Sequence, residues 1–258
     1  MDFAPPVEKR VGRFYCFYDS PTMKITFRCD PSLLALLPQP VPAKAALPDW
    51  LRKMAPRVPS AVHQRPIRTV KQCPPFVDAM THGFMVLLPC DLHIDKGQFT
   101  WDWPLPVLML ENHPRAPLSF HVPEQIAGSP LAVQNHSAIK FNSFWTIALE
   151  PGWSLMAVHP VNRLDLPFRL ITGLVDADQF NAVGINFPAV WSDPDFSGTL
   201  PQGTPIAQCY PVPRGADTLV CEPMTTEQQQ GYEALAGRIM AGPGVYRKGF
   251  RGKRGGSV

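Results

Sequence analysis

Long apolar runs are missing from this chain. The longest, residues 84–88 and 107–110, fall far short of the roughly 20 residues that a membrane-crossing helix needs. The opening residues, MDFAPPVEKR, carry acids and prolines rather than an apolar stretch, so they do not read as an export signal. The expected setting is therefore cytoplasmic, with no membrane partner. Charge is also scarce, at 17% of residues. Of the net +3, the stretch 245–258 supplies +5 through Arg247, Lys248, Arg251, Lys253 and Arg254, which leaves −2 for everything else. Nucleic-acid contact is thus not expected of the body. The tail either touches phosphate or is a solvated terminus.

Motifs are scarce as well. There is no G-x-S-x-G, no phosphate-binding P-loop and no G-x-G-x-x-G. Their absence argues against hydrolase, P-loop and dinucleotide-binding chemistry. The six cysteines (Cys16, Cys29, Cys73, Cys90, Cys209 and Cys221) form no CxxC and match no zinc spacing, so they are expected as buried or free thiols in a reducing compartment.

What the 258 residues do have is proline, 31 of them, with 15 Phe and 6 Trp. Each proline fixes φ and removes a backbone donor, so prolines every few residues forbid long helices and leave short strands. The large aromatic side chains supply enough apolar surface to offset the entropy of ordering. The expected fold is mainly β. It is a two-sheet sandwich or jelly roll, of the double-stranded β-helix or β-clip kind, with few short helices. The expected organisation is an N-terminal hairpin and proline-rich arm over 1–66, a core domain over 67–222, and a C-terminal helix with its basic tail over 223–258.

Alternation around Phe14, Cys16 and Tyr18, and again around Met23, Ile25 and Phe27, predicts the hairpin. Residues 31–66 read as a peripheral arm. Pro74 and Pro75 open a short helix that Gly83 stops. Strands are expected over 84–88, 98–103, 118–122, 138–141, 145–149, 154–158, 168–176, 183–187 and 206–210. Thr225 and Gln228 form a capping box for one longer helix. Its apolar face, Tyr232, Leu235, Ala236, Ile239 and Met240, is expected to pack on a sheet or on a partner subunit.

Several constellations bear on chemistry. His93-Ile94-Asp95 is an H-x-D pair, and His159 would complete a two-histidine, one-carboxylate metal site. That order resembles the iron- and 2-oxoglutarate-dependent oxygenases. The resemblance implies Fe(II) on His93, Asp95 and His159, with Arg169 binding a cosubstrate carboxylate. The alternative is that His93 and Asp95 precede a turn and that His159 is structural.

Gly173-Leu174-Val175-Asp176-Ala177-Asp178, followed by Gly203-Thr204-Pro205-Ile206-Ala207-Gln208, resembles two motifs of the trimeric dUTPases and dCTP deaminases. The resemblance implies Asp176 as the base and Gln208 as its polar partner. Gln179 stands where that family has an aromatic residue. Across 69–214 the chain also resembles an uncharacterised family of bacterial and phage-encoded proteins. That resemblance rests on Val70–Phe76, Phe99–Trp103, Gly152-Trp153-Ser154, His159–Arg163 and Gly203–Gln208, and it implies a common fold without an assigned chemistry.

By density alone, the best site is the polar cluster His159, Asn162, Arg163, Asp165 and Arg169 beside Asp176 and Asp178. Arg–Asp pairs of this kind also fix β corners. Trp101, Trp103, Trp153 and Trp191 line an aromatic groove or pack the core. The expected function is a binding module for a small molecule or a protein partner, as a possible homo-oligomer. The enzyme alternatives are the metal-dependent oxygenase and the nucleotide hydrolase.

Overall fold

A computed structural model describes residues 23–132, 137–215 and 217–252. The chain order opens with β1 (Thr26–Arg28), β2 (Val41–Pro42), α1 (Asp49–Lys53), β3 (Arg57–Ser60), β4 (Arg65–Arg68) and α2 (Pro74–Thr81). Then come β5 (Phe84–Leu87), β6 (Leu92–Asp95), β7 (Gln98–Thr100), β8 (Leu118–Phe120), β9 (Ser137–Phe141) and β10 (Thr146–Ala148). The remainder is β11 (Trp153–Val158), β12 (Phe168–Leu170), β13 (Gly173–Val175), β14 (Phe187–Trp191), β15 (Ser197–Leu200), β16 (Pro205–Pro213), α3 (Thr226–Ala241) and α4 (Val245–Gly249).

The protein is mainly β, and its strands pair antiparallel throughout the described residues. A five-stranded sheet runs β13-β11-β16-β5-β2, and a four-stranded sheet runs β12-β14-β9-β8. Smaller sheets are β15-β6-β7, β1-β10 and the β3-β4 hairpin. One core draws on the three larger sheets: Phe84, Leu155 and Cys209 from the first, Phe141, Phe168 and Trp191 from the second, Leu92 and Ile94 from the third. The Phe141 and Phe168 rings meet edge to face at 4.9 Å. Each such side chain, fully buried, contributes about 1.5–3 kcal/mol.

β16 is the spine of the five-stranded sheet. Ala207 and Cys209 face the shared core, while Gln208 points to the other side, where α2 lies. Pro74 and Pro75 occupy the first turn of α2, where missing N–H groups cost nothing. Gly83 ends the turn at φ +74, and a Cβ there would meet the Cys209 carbonyl oxygen at 2.2 Å. Only glycine lets the chain pass so close to β16.

Several expectations need correcting. The stretch 168–176 is two strands in two sheets. Burial falls on the even positions Phe168 and Leu170, then shifts to Val175 and Ala177, and this one-residue slip ends the first strand. The strand expected over 183–187 begins at Phe187. The first part of the arm is not peripheral: Leu33, Leu37, Ala43 and Leu51 are buried, and β2 closes an edge of the five-stranded sheet, whereas residues 52–66 are mostly exposed. β1 pairs with β10, while the first expected strand of the N-terminal hairpin lies outside the described residues. The hairpin β3-β4 was missed because each strand carries a proline. Pro59 sits opposite Pro66, which an isolated two-stranded edge tolerates. The long helix forms with its capping box, yet no residue of α3 is buried.

Candidate functional site

The polar cluster that stands out in the sequence is bonded inward. Gln208 has no exposed surface. Its Oε1 accepts from the Val161 N–H at 2.9 Å, and its Nε2 donates to the carbonyls of Ala79 and His82 at 2.9 and 2.7 Å. It latches α2 and the turn after β11 to β16, with nothing left for a nucleotide. His159 accepts from the Leu170 N–H at Nδ1 and donates from Nε2 to the Arg163 carbonyl at 2.9 Å. Burial lowers its pKa below the ordinary 6.5, and the cations Arg169 and Arg163 act in the same direction. Asn162 holds the turn at φ 60, a left-handed position that Asn tolerates.

Arg163 forks onto Asp165 at 2.9–3.1 Å. Arg169 turns back on its own loop and donates to the Leu166 and Phe168 carbonyls at 2.9 Å. At the far end of β11, Arg214 chelates Asp178, which also accepts from the Gly152 N–H at 2.9 Å. Asp176 is more than half exposed, and its Oδ1 accepts from Ser154 Oγ at 2.6 Å and pairs with Arg214 at 3.2 Å. The Ser154 bond and Arg214 hold its carboxyl below the usual range, the wrong direction for a general base.

The three suggested iron ligands do not gather. His93 and Asp95 lie on β6, where His93 Nδ1 bonds Thr199 Oγ1 at 2.9 Å and Asp95 accepts from Ser197 Oγ at 2.7 Å. His159 has both ring nitrogens committed elsewhere. Among the described residues, no group of three or more His, Cys, Asp or Glu side chains is placed to hold a metal ion. These residues therefore do not fit an Fe(II) centre. The tryptophans divide too: Trp191 is core, Trp101 and Trp153 pack against it, and Trp103 packs on Phe144 at 4.7 Å.

A different site emerges where β1, the segment 105–114 and the residues before β14 converge. A cavity of about 560 Å³ opens there. That lies within the range of small-molecule sites. Its walls are built from Asp30 outward. Asp30 has no exposed surface and accepts four hydrogen bonds, from Ser32 N and Oγ at 2.9 and 2.7 Å and from Met109 N and Leu110 N at 2.8 and 3.0 Å. The Ser32 hydroxyl contributes most to holding its pKa low, against the opposing effect of burial. One carboxylate thus fastens the otherwise irregular segment 105–114 across the molecule.

Leu33, Leu37, Leu108, Phe144 and Trp145 form a second apolar cluster beneath the cavity. Gly184 closes the floor, where a Cβ would meet the Ser143 carbonyl oxygen at 2.4 Å. Leu110, Pro114, Phe144 and Val183 give the cavity apolar walls. Cys29 also lines it, and burial with the neighbouring Asp30 charge raises its pKa, so it serves as an apolar thiol rather than a nucleophile.

Among the polar residues that line the cavity, Arg28, His113 and Thr146 bear most on what it could hold. Arg28 is exposed and has no ion-pair or hydrogen-bond partner among the described residues. His113 lies against Phe144 at 5.2 Å, and its Nδ1 donates to the Pro114 carbonyl at 3.0 Å, leaving Nε2 as the second ring nitrogen. Thr146 Oγ1 is buried with no hydrogen-bond partner among the described residues, an uncommon condition for a buried hydroxyl. Sequence reading missed this site because its members come from four separate stretches. The legible signal was local: Asp30-Pro31-Ser32, an acid capping a proline-opened turn. No protein-family model matches the chain, and no curated protein matches it.

Proposed function

We propose that this protein is a binding module and that its ligand, a small organic anion with an apolar body, occupies the cavity beside Arg28. The observation that carries the reading is the meeting, in one apolar-walled cavity, of a guanidinium and a buried hydroxyl, Arg28 and Thr146, neither of which has a side-chain partner among the described residues. A carboxylate or phosphate ester would accept from the Arg28 guanidinium, and from Thr146 Oγ1 once that hydroxyl turns from its buried position toward the cavity that Thr146 lines. Its body would lie against Leu110, Phe144 and Val183. Arg28 suits the task because its planar fork matches an oxyanion with two parallel donors. Asp30 does not compete for that fork, since each of its oxygens already accepts two donors.

The scaffold reading that goes with this is a two-sheet sandwich, the five-stranded sheet facing the four-stranded one. The core shared by Leu155, Ala207, Phe141 and Ala189 supports it. The test is a calorimetric screen of aliphatic and aromatic carboxylates and their phosphate counterparts, run on the native protein and on Arg28→Gln. Binding by the native protein that the variant loses supports the reading. Equal binding by both, or no binder in either class, overturns it.

A further inference from the structure

The net −2 outside the C-terminal tail conceals a second concentration of positive charge. Residues 234–258 hold six cations and no acid, and residues 50–77 also hold six cations and no acid. The two runs take half of the chain's 24 cations, so everything else has 12 cations against 21 acids and a net charge of −9. One part of the protein is therefore basic and the remainder acidic.

The fold brings the two basic runs together. Arg68, Gln72 and Pro74 from one line a groove with Ile239, Pro243 and Arg247 from the other. A Cβ on Gly244 would lie 3.7 Å from Arg68 Nη1 and 4.0 Å from Lys248 Cε, so two cationic side chains flank one glycine. Arg57 stands directly opposite Arg68 across the β3-β4 ribbon, on the same face. Like charges so placed destabilise a strand pair. The side chains of Arg57, Arg68, Arg247 and Lys248 have no ion-pair or hydrogen-bond partner among the described residues. Asp78, the acid of α2, is engaged by Arg251 at 2.5 Å.

Two aromatic rings lie among these cations. The Phe250 N–H donates to the Tyr246 carbonyl at 2.9 Å, which sets the two residues one helical turn apart along α4. Both are exposed, and Arg247 and Lys248 fall between them in the chain.

We propose that this face binds a single-stranded nucleic acid. Its phosphates lie along Arg57, Arg68, Arg247 and Lys248, and its bases stack on Tyr246 and Phe250. Phosphate supplies the counter-charge that the fold withholds, and the arginine fork matches its oxygens. The close succession of ring and cation over 246–251 fits a strand that offers a free base beside each phosphate. A duplex keeps its bases stacked on one another, and a lipid surface has none. The face includes none of the residues that line the cavity beside Arg28.

The test is fluorescence anisotropy on the full chain with labelled dT and U strands of about 20 nucleotides and with a duplex of equal length, across a salt series. Co-sedimentation with vesicles of phosphatidylserine and phosphatidylcholine runs beside it. Single strands are expected to bind more tightly than the duplex or the vesicles. Their log–log salt slope should lie near −3, about −0.7 for each of four phosphate contacts. Arg57→Gln combined with Arg68→Gln is expected to weaken binding about twentyfold at about 0.1 M salt and to flatten the slope by about 1.4. Phe250→Ala should weaken it about tenfold with the slope unchanged, the signature of lost stacking. All three positions are exposed, so the urea midpoint should stay put in both variants. No binding to single strands, or preference for duplex or vesicles, would overturn the proposal. So would binding indifferent to the paired arginine changes, which would place it on the tail alone, or binding indifferent to Phe250→Ala.

Discussion

Around Gln208, polar side chains are used up; around Arg28, they are not. Gln208, His159, Arg163 and Asp178 direct their hydrogen bonds to backbone groups and to neighbouring charged side chains, Asp165 for Arg163 and Arg214 for Asp178. They hold two corners of the five-stranded sheet. The cavity side has fewer polar residues, and two of them, Arg28 and Thr146, have no such employment among the described residues. Density of polar residues along a chain therefore marks a β corner as readily as a site. What separates the two is whether the hydrogen-bonding capacity has been consumed by the fold.

The sharpest way to break this contrast is Gln208→Leu. It would strip the Val161 N–H and the His82 carbonyl of their Gln208 partner at a fully buried position and leave the Ala79 carbonyl only the longer bond from the Tyr210 hydroxyl at 3.4 Å. A loss of roughly 3 kcal/mol or more is expected in urea denaturation, since each stranded buried group costs about 1–3 kcal/mol. A loss near zero would show that the latch does not hold the corner.

Arg28→Gln should behave in the opposite manner. The denaturation midpoint stays put, while affinity for the anion drops about ten- to a hundredfold, the scale of a hydrogen bond to a charged group. Titration calorimetry beside the same urea series reads both.

Acid should loosen the spent cluster in two stages. His159 is held neutral by burial, its pKa below the unfolded 6.5. Below that pH the unfolded chain binds the extra proton, so the stability from neutral His159 is complete above 6.5 and declines as pH falls through it. Asp178 is lowered to about 2, first by Arg214, with the Gly152 N–H adding to it against burial. Its contribution is complete above the ordinary 3.8 and is lost as pH falls towards 2. Denaturant midpoints measured from pH 8 to pH 2 should show both declines, and His159→Gln should abolish the first alone.

The smallest effect is expected from Thr146→Val. Stability should stay level or rise by up to about 1 kcal/mol, because an unpartnered buried hydroxyl gives way to a methyl of the same shape. Anion affinity should fall a few-fold in the same protein. A clear loss of stability would mean that the hydroxyl is bonded within the fold.

Much of the fold was legible because short-range chemistry fixes it. The prolines at Pro74 and Pro75 with Gly83 define α2, the Thr225–Gln228 box starts α3, and short apolar stretches bounded by turn residues mark β5, β9 and β11. What escaped depends on distant pairing. β15 reads Ser-Gly-Thr-Leu and becomes a strand only because β6 lies beside it. The phase slip at residues 171–174 shows itself only once two sheets compete for the segment. The site was less legible still. Arg28 looks like an ordinary outward strand residue, and Thr146 like half of a polar–apolar alternation. Their significance lies in neighbours eighty and more positions away, brought in by Asp30 through Met109 and Leu110.

The most direct measurement is a crystal structure of the protein grown with the tightest-binding acid. The account predicts density in the cavity between segment 105–114 and Gly184, with an oxyanion about 3 Å from the Arg28 guanidinium. Thr146 Oγ1 should donate to the same group. Density for the acid elsewhere, with the cavity filled by the protein's own side chains, would contradict it.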